Sequence, residues 1–206
     1  MSTHAPVVLG SPHTLDTIPD LGPWVAGFDH THIDVGTGDG RYAVHVARRC
    51  PCTAVIGLDT SLDHLRGAKR RHPANLRFVR LDACGHLDGG LPPAGDVTVN
   101  FPYGSLLRGL VEGEPKLLSR LGSVLAADGR IEVRVNRTAF VATGLDPDHG
   151  PAAIQRNLRR IDGLGVQMRE LGREELRSFP STWSKRLGFG REAGAVLIVG
   201  TRRLRP

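Results

Sequence analysis

H-I-D-V-G-T-G-D-G-R, His32 to Arg41, decides how this chain folds. An apolar strand ends in Asp34, and glycines follow at alternate positions, Gly36, Gly38 and Gly40, with Thr37 between the first two. Glycines in such a place allow a tight turn and let a ligand approach the backbone. A loop for a nicotinamide dinucleotide would run G-x-G-x-x-G, and after Gly36 and Gly38 its third glycine falls on Arg41. A helical pattern, Arg41 to Arg49, begins at once, so the loop joins a buried strand to a helix.

Outward from this point, strands alternate with helices. The pattern predicts strands over Thr31–Val35, Ala54–Leu58, Leu76–Leu81, Asp96–Asn100, Arg130–Val135, Val166–Leu171 and Ala195–Thr201. Helices are expected over Arg41–Arg49, from Ser61 or Asp63 to near His72, from Pro115 to about Ala126, and over 150–163. Asp128-Gly129 reads as a turn. Residues 1–30, rich in Pro, Gly, His and Thr, read as an N-terminal extension packed on the core. They hold one expected strand, Ala5–Leu9, and Trp24 before a turn. Residues 31–206 form one α/β domain, a mostly parallel seven-stranded sheet with helices on both faces.

Composition narrows the function. The 206 residues are 40% hydrophobic and 23% charged, ordinary for a globular chain. No apolar run is long enough to span a membrane and the N-terminus lacks a signal pattern, so the expected location is the cytoplasm. Cys50, Cys52 and Cys84 are odd in number and read as free thiols, with no metal site. The net charge of +6 suits a polyanion such as RNA. Of 27 basic residues only Lys69, Lys116 and Lys185 are lysines, the bias of a GC-rich genome, so clusters count for more than the total.

The D-x-G-x-G-x-G loop resembles motif I of the class I S-adenosylmethionine methyltransferases, and hence their Rossmann-like fold. That cofactor has no pyrophosphate; its sulfonium and ammonium are cations that an acid such as Asp34 or Asp39 attracts. Asp59, closing strand 2, is placed to hold ribose hydroxyls. Asp82, after strand 3, stands where that family commonly holds the adenine amino group, or is simply a loop acid. Ala83 and Asn100 complete the expected cofactor set.

Only 5% of the chain is aromatic, yet N-F-P-Y, Asn100 to Tyr103, puts two aromatics at the carboxyl end of strand 4. Ligands bind at that edge of such a sheet. An aromatic held there can stack a nucleobase. Phe101 reads as packing; for Tyr103 packing and stacking both stand. The connection between strands 6 and 7 carries F-P-S-T-W-S-K-R-L-G-F-G-R, Phe179 to Arg191, with Trp183 among polar and basic residues.

With these three segments the chain resembles the aminoglycoside-resistance 16S rRNA (adenine-N1)-methyltransferases of the kanamycin–apramycin type, which act on adenine 1408 of the small-subunit rRNA. The resemblance runs from about residue 31 to 203. It implies S-adenosylmethionine as methyl donor and 16S rRNA in the 30S subunit as partner. It further implies that Tyr103 and Trp183 grip a flipped adenine, Pro102 shapes the pocket floor and Ser181 places the base. Lys185, Arg186 and Arg191 would face phosphates, and Lys69, Arg70 and Arg71 would dock RNA. The family has tryptophan where this chain has Tyr103. A monomer is expected.

Two alternatives stand beside this. Asn100–Tyr103 is also similar to the N-P-P-Y motif of amino-methyltransferases, whose asparagine accepts a hydrogen bond from the target amine. A chain with a basic surface could also be a ribosome-binding protein that keeps the fold without catalysis.

Overall fold

The computed structural model describes residues 20–61, 73–85, 90–181 and 194–203. The expected strand at Ala5–Leu9 and the helix ending near His72 lie outside them.

The chain enters through a short helix α1 (Gly22–Val25). Leu21 is buried, and Trp24 and Val25 pack on the core, with the Arg77 guanidinium over the Trp24 ring at 4.6 Å. Seven strands follow: β1 (His30–Val35), β2 (Thr53–Asp59), β3 (Leu76–Arg80), β4 (Ala94–Asn100), β5 (Leu125–Asn136), β6 (Leu164–Glu170) and β7 (Ala195–Arg202). They lie in the order β3-β2-β1-β4-β5-β7-β6. All are parallel except β7, which runs antiparallel to both neighbours. The order reverses between β1 and β4, the switch point where open α/β sheets bind ligands.

The helices are α2 (Arg41–Arg49), α3 (Gly104–Glu112), α4 (Pro115–Val124), α5 (Arg137–Ala142), α6 (Gly150–Leu158) and α7 (Arg173–Ser178). The sequence pattern located α2, α4 and α6 but not α1, α3, α5 or α7. Helices α5 and α7 are too short to show a 3.6-residue period. Asp128-Gly129 differs from expectation: β5 runs through it. The register against β4 slips there, from Ala94↔Leu125 to Asp96↔Arg130, so the extra residues are accommodated in a bulge.

Strand alternation makes the two sheet faces unlike. Ile33, Val35, Ile56, Leu58, Val97, Val99, Ile131 and Val133 share one face and one core with Leu107, Leu110, Leu117, Leu121 and Ile154 of α3, α4 and α6. The other face is apolar only at its flanks. Ala43 and Ala47 of α2 pack with Val55 and Leu76 on one side, and Leu176 of α7 packs with Leu171, Ala195 and Leu197 on the other. Between those flanks β1, β4 and β5 present His32, Asp34, Thr98, Asn100, Glu132 and Arg134.

Candidate active site

The loop after β1 has the conformation its glycines imply. Gly36, Gly38 and Gly40 have φ of 71°, 57° and 76°, a region that side chains disfavour. A Cβ on Gly36 would lie 2.7 Å from the end of the Leu106 side chain on α3, which would have to shift, on top of the strain of the positive φ. A Cβ on Gly38 would meet nothing within 4 Å, because that glycine faces open space. The Gly36 and Thr37 amides both donate to the Leu58 carbonyl at 2.8 Å, and the Gly38 amide donates to Asp59 Oδ2 at 2.8 Å. The loop is thereby tied to the end of β2.

Asp34 lies beneath it, 1% exposed. Its Oδ2 accepts from the Thr37 hydroxyl at 2.7 Å, and its Oδ1 from the Thr98 hydroxyl at 2.8 Å and the Asn100 amide at 3.0 Å. Three of roughly four acceptor positions of the carboxylate are taken. Burial pushes the Asp34 carboxyl above its ordinary range, while the Thr37 bond, the nearby His32 and the bonds from Thr98 and Asn100 pull it back. His32, whose Nε2 lies 3.1 Å from the Thr98 hydroxyl, is held below its ordinary range by burial, against the pull of Asp34. Asp39, the other acid considered for the cationic end of a cofactor, also lines the cleft at this edge of the sheet; it accepts from the Arg41 amide and pairs with the Arg41 side chain at 3.4 Å.

The remaining acids lie along the same edge. Asp59 accepts from the Ser61 amide at 3.0 Å as well as from Gly38. Asp82 caps its own turn, accepting from the Cys84 amide at 2.9 Å. That turn is held from outside by Arg120 of α4, which donates to the carbonyls of Asp82, Ala83 and Gly85. Arg120 was not singled out from sequence, and nothing in L-S-R-L marks it. Arg120→Met is expected to release the Asp82–Gly85 turn and weaken cofactor binding about fivefold to tenfold, since three hydrogen bonds from a charged donor are lost. Isothermal titration calorimetry with S-adenosylmethionine checks this, and an unchanged Kd would mean the turn stands without its clamp.

The N-F-P-Y turn is strained. Phe101 has φ 53°, rare for any side chain and rarer before proline. Its amide donates to the Arg134 carbonyl at 2.8 Å, and its buried ring packs with Leu171, Leu176 and Leu197, edge-on to Phe179 at 5.7 Å. Anchoring Phe101 inward throws the next aromatic outward: Tyr103 is 57% exposed at the start of α3. Phe101 is therefore packing, as expected from sequence, and Tyr103 faces out.

A cleft of about 670 Å³ joins these parts. It is lined by Asp34, Gly36, Thr37, Gly38, Asp59, Asp82, Ala83, Asn100, Pro102, Tyr103 and Ser181, every described residue proposed for the site except Gly40. Gly40 instead forms the N-cap of α2. Trp183, Lys185, Arg186 and Arg191, and Lys69, Arg70 and Arg71, lie outside the described residues. Thr98 and Arg134 were missed by sequence analysis. The signal was present in V-T-V-N and I-E-V-R-V, where polar residues alternate with core residues on strands otherwise buried.

The family model for NpmA, 16S rRNA (adenine(1408)-N(1))-methyltransferase, matches residues 13–202. The chain belongs to this methyltransferase family. A curated relative of that name from Streptoalloteichus hindustanus is 30% identical over 186 residues, covering 84% of this chain and 86% of the relative. One from Escherichia coli is 26% identical, covering 94% and 97%. Among solved structures, the 16S rRNA (adenine(1408)-N(1))-methyltransferase from Catenulisporales acidiphilia superposes with a TM-score of 0.72 at 25% identity, covering 92% of this chain and 96% of that one. A mutant of that enzyme has been solved with its cosubstrate S-adenosylmethionine.

S-adenosylmethionine is the methyl donor, and the residues present fit it. The glycine loop leaves open space at Gly38, Asp59 lies at the carboxyl end of β2 for a diol, and the cleft has the size of a nucleoside-bearing ligand. Asp34 lines the cleft, and its hydrogen bonds tie the loop to β4. The N-P-P-Y alternative is not favoured, since the family model and the relatives are named for N1 of adenine 1408; Asn100 Oδ1 accepts from Arg134 at 3.0 Å, which occupies one of its two lone pairs. Among the described residues no three His, Cys, Asp or Glu side chains gather as a metal site, and no helix is long and apolar enough to cross a membrane.

Proposed function

We propose that this protein methylates N1 of adenine 1408 in 16S rRNA of the 30S subunit, with S-adenosylmethionine as donor. The observation that carries this is the single cleft that has the cofactor loop on one wall and the outward Tyr103 at its rim, in a chain matched by the adenine-1408 family over 13–202.

S-adenosylmethionine supplies a methyl group already activated by its sulfonium. Adenine N1 offers an in-plane lone pair and carries no proton, so the side chains need not act as a general base. Their task is placement: Tyr103 and Trp183 stack the flipped base, Pro102 forms the floor and Ser181 sets the base in plane. Methylation leaves the adenine cationic, and aromatic faces favour that charge. Lys185, Arg186, Arg191 and the cluster Lys69, Arg70 and Arg71 engage phosphates. The protein acts as a monomer in the cytoplasm and uses no metal, since docking on a ribosome leaves little need for a second copy.

The test is incubation with radiolabelled S-adenosylmethionine and 30S subunits, followed by primer extension. The expected result is a reverse-transcriptase stop at adenine 1408, because N1-methylation blocks the Watson–Crick edge. Label without a stop would point to the exocyclic amine. Cofactor binding with no label in 30S would move the substrate elsewhere. Expression in a susceptible bacterium is expected to raise tolerance to kanamycin and apramycin together.

A further inference from the structure

Arg134 stands at the centre of the polar stripe and belongs to neither wall of the cleft as read from sequence. On β5 it is paired in register with Asn100 on β4, so both side chains leave the same face of the sheet. Its Nη1 donates to Asn100 Oδ1 at 3.0 Å. Asn100 Nδ2 in turn donates to Asp34 Oδ1 at 3.0 Å, so the amide is held at both ends and cannot flip. Its Nη2 is paired with Glu132, which also holds Arg130. Its guanidinium carbon lies 4.7 Å from the centroid of the Phe179 ring, in cation–π contact. Phe179 also stacks on Tyr42 at 4.9 Å and meets the edge of Phe101. The Arg134 main chain accepts from Phe101, the strained residue that sends Tyr103 outward.

One residue thus touches both parts of the site. Through Asn100 it reaches Asp34 and the cofactor loop. Through Phe179 it reaches the segment that runs on to Ser181 and Trp183. Arg134 has a side chain only 13% exposed and is paired with Glu132, a carboxylate it shares with Arg130, so its geometry is fixed rather than averaged by solvent.

We propose that Arg134 is a positioning residue that couples the cofactor wall to the aromatic wall, by locking the Asn100 amide and carrying the Phe179 ring on one guanidinium. Only a planar, forked cation can hydrogen-bond in its plane and offer its face to a ring at once; lysine has a point charge and can do one or the other. The inference deepens the proposed reaction, but its deciding arm reads cofactor binding alone and stands whatever RNA is the substrate.

The experiment is a double-mutant cycle on the full chain, with Kd for S-adenosylmethionine measured by calorimetry. Asn100→Ala, Phe179→Leu and the pair are made in the wild-type and in the Arg134→Lys background. Non-additivity of about threefold to tenfold is expected in the wild type, because the two sites share one partner. In the Arg134→Lys background the effects are expected to multiply independently. A guanidinium that merely stabilises the fold would lower Tm in every variant without moving the non-additivity. Additive effects in the wild type, or equal coupling in both backgrounds, would overturn the proposal. If Arg134→Lys does not fold, additivity in the wild-type cycle alone still overturns it, and non-additivity there supports it. As a second readout, Arg134→Lys is expected to raise the KM for 30S subunits as well as the Kd for the cofactor, although the aromatic wall meets the arginine side chain through the Phe179 ring face and not through a hydrogen bond.

Discussion

Asp34→Ala is expected to lower Tm by about 5–10 °C and to abolish measurable binding of S-adenosylmethionine. Alanine leaves three donors without their acceptor: the hydroxyls of Thr37 and Thr98 and the amide of Asn100. Each buried orphan costs about 1–3 kcal/mol. Thr98 keeps a partner in His32, and removing a buried carboxylate relieves its own desolvation, so the net loss is about 2–3 kcal/mol. For a chain of this size each kcal/mol moves Tm by roughly 2–4 °C. The binding loss is larger than the stability loss because the cofactor loop is fastened to the sheet through Thr37. Differential scanning calorimetry and titration calorimetry read the two effects separately. Unchanged Tm with lost binding would make Asp34 a ligand-contacting acid only; lower Tm with intact binding would remove it from the site. Asp34→Asn is expected to fall between, since its amide keeps one acceptor oxygen but turns a donor toward Thr37, Thr98 or Asn100.

Tyr103→Ala is expected to do the opposite: leave folding and cofactor affinity unchanged and lower kcat/KM on 30S subunits by roughly tenfold to hundredfold. The ring is 57% exposed and contributes little to the core. Stacking an aromatic on a base is worth about 1–3 kcal/mol, which sets the range. Tyr103→Phe is expected to keep most of the activity, because the ring face and not the hydroxyl does the stacking. Tyr103→Trp is expected to raise it, since the larger face covers more of the base. Trp183→Ala should lose at least as much as Tyr103→Ala if the two rings grip one base. Filter-binding methylation assays with purified subunits measure all four. Full activity in Tyr103→Ala would mean the base is held elsewhere, and a fall in cofactor affinity would place Tyr103 on the cofactor wall.

The two substitutions separate what one cleft combines. Asp34 is buried and hydrogen-bonds the residues around it; Tyr103 is exposed, and its proposed role is toward the substrate. Between them lies the strained Phe101, whose φ of 53° is kept by a hydrogen bond to Arg134 and by burial against Leu171, Leu176 and Leu197. Strain at such a place marks a backbone shaped for its ligand rather than for its own stability.

Much was legible without coordinates. Strand 1 and its loop were fixed by local chemistry: an apolar run, an acid and three glycines admit few conformations, and α2 starts and stops at Arg41 and Arg49 as its pattern predicts. Asp59 and Asn100 were placed because strand ends in a parallel sheet face one edge. Phe101 was read as packing, and Tyr103 was singled out by the family resemblance. All but the last follows from interactions within a few residues, which a linear pattern records.

Tertiary structure decided the rest. The sequence shows that Glu132 and Arg134 alternate with valines, but not that β5 slips against β4 at Ala94 and Asp96, which brings Arg134 opposite Asn100. A β5 register shifted by one residue would have turned Glu132 and Arg134 to the apolar face. Likewise Arg120 lies 38 positions from Asp82, and Thr98 lies 64 from Asp34, distances that no local pattern spans. The candidate site residues were readable because their types are specialised. The residues that hold them were not, because an arginine or a threonine becomes a strut only when packing brings it a buried partner.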